Sequence, residues 1–236
     1  MNIVWASIAN LINTLAIYSV FNYLFKSKKL PNHNYLKWFA YYFLARGTNV
    51  SLRALVEVAG GEFFIAYTLW YSFNLAFLLL ATTSYAGKKF NKNWLILIII
   101  RAILVIIGLR IGEIYYYMGI LLSLIVYIYA IYHIITARRD INKDFYTIIP
   151  GISLNVIILF DIYWATFFLT EAYFILSGAG ILALGLSLII NHLQRTQVER
   201  DEAVIENNSL KASLASIDKL EHRLKTLAAS YTNGRQ

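Results

Sequence analysis

The sequence predicts an all-α membrane protein, a seven-transmembrane-helix bundle followed by one polar helix with coiled-coil periodicity. Three observations lead there. Of 236 residues, 59% are hydrophobic and only 14% charged, where soluble domains carry roughly 25% charged residues. The apolar residues gather into seven runs, at about 3–25, 35–57, 63–86, 94–111, 114–136, 145–168 and 173–192, each close to the roughly 20 residues that cross a bilayer as a helix. The loops between them carry all but one of their basic residues on alternate sides.

That alternation sets the orientation. Lys26, Lys28 and Lys29 follow the first run, Lys88, Lys89 and Lys92 the third, and Arg138, Arg139 and Lys143 the fifth. The opposite side offers Arg110 together with Glu57, Glu62, Glu113 and Glu171. Basic loops stay in the cytoplasm, so the sequence predicts N-terminus out and C-terminus in, in the cell (inner) membrane. The net charge of +8 therefore points to a membrane surface and away from nucleic acid. The N-terminus lacks a basic n-region, which argues for a first span and against a cleaved signal peptide. Trp38, Trp94, Trp164 and Tyr115 to Tyr117 fall near span ends, where aromatic side chains anchor at the interface. In the seventh run, Ala179, Ala183 and Ser187 form a small-residue stripe suited to close helix approach. Pro150 falls in the first turns of the sixth run, where its missing N–H is best tolerated.

The composition divides the chain into a transmembrane domain, 1–192, and a polar segment, 193–236. The polar segment contains no proline. Leu210, Ile217 and Leu224 repeat at seven, as do Leu220 and Leu227 three residues out of phase, which makes an a/d seam. Val198 and Ile205 keep the period in another phase, as a stutter would leave them. A helix continuing from the seventh span into a homodimeric coiled coil follows. Glu199, Asp201, Glu202 and Glu206 disfavour the alternative of a helix lying on an anionic leaflet.

The chemistry concentrates on the second run. Tyr42, Arg46, Asn49, Arg53 and Glu57 are spaced 4, 3, 4 and 4, which places them on one face of an α-helix. Ionised groups at membrane depth turn toward protein or a wet cavity, so this face should look into the bundle. At ~1.5 Å per residue, Arg53 and Asp161 share the outer third of the membrane, whereas Arg46 and Arg101 have no acid at their own depth. Two readings follow. In one, these residues are structural ties joining the second, fourth and sixth helices. In the other, the surplus positive charge receives an anionic or amphipathic small molecule or lipid, with Asn49 and Tyr42 adding hydrogen bonds.

Other chemistries find less footing. The chain has no cysteine, which excludes disulfides and thiolate metal sites. It has no Walker loop, no H-E-x-x-H and no G-x-S-x-G, so no enzyme class is indicated. His133 and His192 lie at similar depth, which leaves a haem between helices open as an alternative; a quinone protein belongs to the same class.

The run Leu220-Glu221-His222-Arg223-Leu224-Lys225-Thr226-Leu227-Ala228 resembles the phosphoacceptor box of sensor histidine kinases. His222 falls at heptad position f, away from the seam. With seven spans before it, the chain resembles the seven-helix sensory regions of bacterial sensor histidine kinases and related membrane receptors. The resemblance implies a signal-transducing receptor of a two-component system, with His222 phosphorylated by an ATP-binding domain further along or on a cytoplasmic partner. Arg223 stands where an acidic residue usually follows the histidine, which leaves the proton acceptor unassigned. The sequence stops at Gln236, before any ATP-binding domain, so the expectation is a truncated receptor or a sensor acting through another chain. An anion transporter or channel, oligomerised by its tail, is the alternative.

Overall fold

A computed structural model describes residues 3–27, 34–59, 63–136, 150, 152–159 and 170–233. Every element among them is helical: α1 (Ile3–Ser27), α2 (Asn34–Ala59), α3 (Phe64–Tyr85), α4 (Asn93–Ile111), α5 (Glu113–Thr136), α6 (152–159) and α7 (Thr170–Asn233). The chain divides into two compact units, Met1–Ile190 and Asn191–Gln236.

Five helices are long and apolar enough to cross a membrane: Val4–Lys26, Phe64–Tyr85, Asn93–Ile111, Glu113–Thr136 and Ser177–Thr226. Helix α2 is not one of these. It carries Lys37, Arg46, Arg53 and Glu57 together with Asn49, and the polar groups dilute its apolar character. Its place in the first unit explains how it tolerates them. Helix α2 is flanked by α1 and α3, and its buried face reads Tyr35, Phe39, Tyr42, Arg46, Asn49, Arg53. The spacing alternates between 4 and 3, so one continuous stripe passes from aromatic to cationic along the helix.

The aromatic half forms the core. Phe21 of α1 meets Phe43 and Phe39 of α2 at centroid distances of 5.4 and 6.0 Å. Tyr85 of α3 closes the cluster edge-on against Tyr35, at 5.4 Å, and against Phe39, at 6.1 Å. Such pairs add about 0.5–1.5 kcal/mol each beyond area burial. Further along, Gly47 of α2 meets α1 at Thr14, and a Cβ there would collide with the Thr14 hydroxyl. Thr14 returns that hydroxyl to its own helix, donating to the Asn10 and Leu11 carbonyls at 3.0 and 2.9 Å. Trp70 of α3 donates its indole N–H to the Ala45 carbonyl at 3.1 Å and to the Thr48 hydroxyl. Trp38 instead stacks on Phe77, at 6.4 Å.

The α3–α4 connection is specified locally. Gly87 adopts φ 66°, a left-handed conformation that costs glycine little. The Lys88 N–H reaches the Thr83 carbonyl at 2.9 Å and the Gly87 N–H reaches Ser84 at 3.0 Å, the paired bonds of a Schellman ending. Asn91 then accepts the Asn93 N–H at 3.0 Å and satisfies one of the free donors that begin α4. Helices α4 and α5 are joined through Gly112 alone and pack as a tight hairpin. A Cβ on Gly108 would sit 2.7 Å from the Tyr116 Cα, and one on Gly119 would lie 3.2 Å from the Arg101 carbonyl and also strike Val105.

In α7, the expected stripe Ala179, Ala183, Ser187 is buried only toward its end: Ala179 is exposed, Ala183 half-buried and Ser187 buried. The close approaches use Gly178 against Asn10, Gly185 against Ile17 and Gly180 against Ile157. Glycine allows a closer backbone approach than alanine, and it selects a face rotated from the alanine one.

In the second unit, α7 presents Val198, Ile205, Leu210, Leu214, Ile217, Leu220 and Leu224, all exposed. Around them, Lys225 pairs with Glu221 at 2.6 Å, one helical turn apart, a solvated pair worth a few tenths of a kcal/mol. Of the expected sixth span only 150 and 152–159 are described; Trp164 lies outside the described residues.

Gly108→Val is expected to destabilise the α4–α5 hairpin by about 1–3 kcal/mol, the usual cost of overpacking. Thermal unfolding of the detergent-solubilised protein would show it as a lowered midpoint. An unchanged midpoint would mean that the two helices do not touch at this position.

Candidate functional site

The cationic half of the α2 stripe is enclosed by protein. Tyr42 is 1%, Arg46 0%, Asn49 0% and Arg53 1% exposed. The 4, 3, 4 spacing that puts these side chains on one helical face also puts them on the buried one. Arg46 donates from Nη2 to the Ser177 hydroxyl of α7 at 3.1 Å. Asn49 makes a long bond, 3.5 Å, from its amide to the Tyr67 carbonyl of α3. The Glu57 side chain and Asp161 lie outside the described residues, and with them the expected Arg53–Asp161 pair.

Arg101 projects from α4 and is 6% exposed. Its Nε donates to the Ser123 hydroxyl of α5 at 2.9 Å, and Ser123 donates on to the Gly119 carbonyl at 3.1 Å. Its Nη1 reaches the Thr68 carbonyl at 3.4 Å. The guanidinium carbon lies 4.6 Å from the centroid of the Tyr71 ring, a cation–π arrangement. Tyr71 in turn shares a 2.9 Å hydrogen bond with the Tyr127 hydroxyl of α5. Arg101 therefore ties α4 to α3 and α5. The expected tie of the second, fourth and sixth helices runs through Asp161, outside the described residues; Arg101 adds contacts to the third and fifth. Depth along a helix predicts which residues share a level, but not which neighbour lies on that side.

The two sets meet on one turn of α3. Asn49 takes the Tyr67 carbonyl and Arg101 takes the next one, that of Thr68. They also meet at Tyr116 of α5, whose hydroxyl lies within electrostatic reach of both Arg101 and Arg53. The result is an interior lined by guanidinium, amide and phenol groups contributed by α2, α3, α4 and α5. Chemically it offers donors and positive charge, and it would hold an anion or a strong acceptor.

Several residues of this interior were not singled out in the sequence: Tyr67, Thr68, Tyr71, Asn74, Ser123, Tyr127 and Ser177; Tyr116 was expected as an interface anchor. A signal for some of them exists. Tyr67, Tyr71 and Asn74 are spaced 4 and 3 in an otherwise apolar run, the same pattern that marks α2. Asn74 is buried, and neither atom of its amide has a hydrogen-bond partner.

The histidines are placed as follows. His133 is buried, with its ring edge-on to Tyr129 at 4.4 Å and no hydrogen bond to either nitrogen. Trp94 stacks on the same Tyr129 at 4.2 Å. His192 is buried at the start of the second unit. No cluster of three or more potential metal ligands occurs among the described residues. His222 is exposed on α7, and its carbonyl accepts from Thr226 at 2.8 Å.

No protein-family model, curated protein or solved structure matches the chain.

The phenol pair can be measured as a coupling. Tyr71→Phe and Tyr127→Phe are each expected to cost about 1 kcal/mol, the net worth of one buried hydrogen bond. The double variant should cost less than the sum of the two, because both single changes break the same bond. Strictly additive losses in denaturant or thermal unfolding would show that the hydroxyls do not interact.

Proposed function

We propose that the chain is a membrane receptor of the inner membrane. Its first 192 residues form a seven-helix bundle, N-terminus out and C-terminus in, with α2 and the segment around α6 as the two spans beyond the five apolar ones. The bundle binds a small anionic or amphipathic ligand. The tail pairs with a second copy as a coiled coil and passes the signal to a cytoplasmic output of the histidine-kinase type, with His222 as the phosphoacceptor.

One observation carries this reading: Arg46, Arg53 and Arg101 are all buried in the bundle. A guanidinium stays charged under all ordinary conditions. Placing it inside an apolar bundle costs several kcal/mol unless an anion or full hydrogen bonding offsets the loss of water. Arg101 in particular has only neutral contacts among the described residues, and recognition of an anion gives a reason to keep such a group that stability alone does not. Two features support an output through the tail. Helix α7 is unbroken from Thr170 to Asn233, and it displays apolar residues at heptad spacing with nothing covering them. A second copy buries that seam.

A ligand can shift such a receptor only by binding its two states with different affinity. The chain has no cysteine, so single cysteines can be placed without background. Disulfide crosslinking between two copies along 198–227 is expected to change when a panel of small anionic amphiphiles is added, octanoate and octyl phosphate included. An unchanging pattern, joined to anion flux in liposomes that vanishes on Arg46→Ala, would make the protein a transporter instead.

The orientation has its own test. In intact cells, Gly112→Cys should be labelled by an impermeant maleimide and Lys89→Cys should not. The reverse result would invert the topology.

A further inference from the structure

We propose that Arg101 is the docking point for the oxyanion head of an amphipathic ligand and that Asn74 reads a second polar group on the same molecule. This deepens the receptor reading and rests on it for the ligand's role.

Arg101 differs from an ordinary buried arginine in its company. Its hydrogen bonds go to a serine hydroxyl and a backbone carbonyl, and its face lies on a tyrosine. The side chains that bear on it electrostatically are Tyr71, Tyr67, Tyr127 and Tyr116, which are phenols and neutral at physiological pH. No carboxylate among the described residues pairs with it. The positive charge is thus positioned on three sides and neutralised on none. A buried charge without a counterion is among the costliest arrangements in a protein interior. An anion that arrives with the ligand removes that cost at the moment of binding.

The remaining donors show where the anion sits. Nε and Nη1 are engaged, and nothing described accepts from Nη2. The residue keeps 6% of its surface uncovered. A planar guanidinium edge suits an oxyanion, carboxylate or phosphate, better than a spherical halide.

A second, independent feature lies about one turn along α3 from Tyr71, the ring that Arg101 covers. Asn74 is 1% exposed, and both its amide oxygen and its amide nitrogen lack any partner. Buried carboxamides almost always find hydrogen bonds, and an unmet one costs roughly 1–3 kcal/mol. Asn74 follows Tyr71 by three residues on the same buried face of α3, about 4.5 Å along the axis. A ligand whose head rests on Arg101 over Tyr71 extends past this amide, which can both donate and accept. Beyond it the buried neighbours on α3 and α5 are Leu75, Leu78 and Val126, suited to an alkyl chain. The ligand class is an oxyanion-headed amphiphile with a hydroxyl or carbonyl near its head.

The test uses the full chain in phosphatidylcholine nanodiscs and chloride-free buffer, with the unfolding Tm as readout. Octanoate should raise Tm by several degrees and 1-octanol should not. Arg101→Met should abolish the octanoate shift and, because it removes an uncompensated charge, raise the Tm of the unliganded protein. An arginine with a purely structural role would lower it. Ser123→Ala keeps the charge but releases the guanidinium, so it should weaken octanoate several-fold. Asn74→Leu should leave octanoate unchanged and remove the tighter binding expected of 3-hydroxyoctanoate.

An Arg101-dependent rise in nanodiscs containing phosphatidylglycerol, without octanoate, would assign the oxyanion to a lipid phosphate. A rise with octanoate alone would assign it to a free acid. Chloride reproducing the whole shift would overturn the proposal. So would a Tm lowered by Arg101→Met with the octanoate shift retained. If Arg101→Met cannot be recovered folded, an octanoate response unchanged in Ser123→Ala overturns it equally. An Arg101-dependent octanoate shift with unaltered tail crosslinking would sink the receptor reading and keep the site. A tail response that survives Arg101→Met would do the reverse.

Discussion

The constraint on which the first unit depends is the desolvation of positive charge. Arg46, Arg53 and Arg101 hold their guanidinium groups away from water and from any surrounding lipid. Each must recover in contacts what it loses in hydration, and the packing around α2 and α4 follows from that demand. The partners used are small and numerous: the Ser177 hydroxyl for Arg46, and for Arg101 the Ser123 hydroxyl, the Thr68 carbonyl and the Tyr71 face. Serine next to arginine allows the helices to approach closely, which a longer polar residue would prevent. The glycines at 108 and 119 have a related effect from the α4–α5 side. They draw the hairpin tight enough that Arg101, on one strand of it, reaches Ser123 on the other.

Helix α3 is the shared wall of this arrangement. Its own backbone supplies the carbonyls of Tyr67 and Thr68 to donors from α2 and α4. Those carbonyls already accept within the helix, and the Thr68 carbonyl also takes the Ser72 hydroxyl at 3.0 Å, so Arg101 shares it at 3.4 Å. Using backbone acceptors spares the bundle any buried carboxylate at these positions, and with it a second desolvation cost. At Arg101 the described contacts orient the charge, and none of them cancels it. The other end of α2 is the opposite case: Phe21, Phe39, Phe43 and Tyr85 form an aromatic contact with no charge to satisfy. One half of the helix therefore supplies packing, and the other half supplies polar chemistry.

Much of this was legible in the sequence, and the part that was not has a clear physical cause. The face of α2 could be read because its polar residues keep a helical period within an apolar run, and a charge in such a run has only one favourable direction to turn. The spans were legible from length and apolar content, and the bounds of α3, α4 and α5 lie within a residue or so of the runs predicted for them. The partners of the arginines were not legible. Ser123 and Ser177 are single small hydroxyls with no periodic signature, and rise per residue gives height but not the neighbour faced. That is why the contacts of Arg101 with α3 and α5 could not be read from the sequence. In α7 the sequence offered two small-residue faces. The alanine face had the cleaner spacing, but the glycine face permits closer backbone approach, and the packing uses it.

The remaining question is why Arg101 is kept in a form that no described residue neutralises. Preorganisation answers it. A long flexible arginine that must be ordered by its ligand spends part of the binding free energy on that ordering. Arg101 is ordered already, by two hydrogen bonds and an aromatic face, each of which holds the group without cancelling its charge. On the receptor reading proposed above, the empty protein would carry the cost as lowered stability and a bound anion would return it as affinity. A carboxylate in place of Ser123 would give a firmer bundle with little attraction left for an anion. Residues at binding sites are commonly held at such an expense to stability. The neutral character of every Arg101 contact is thus better explained by recognition than by architecture.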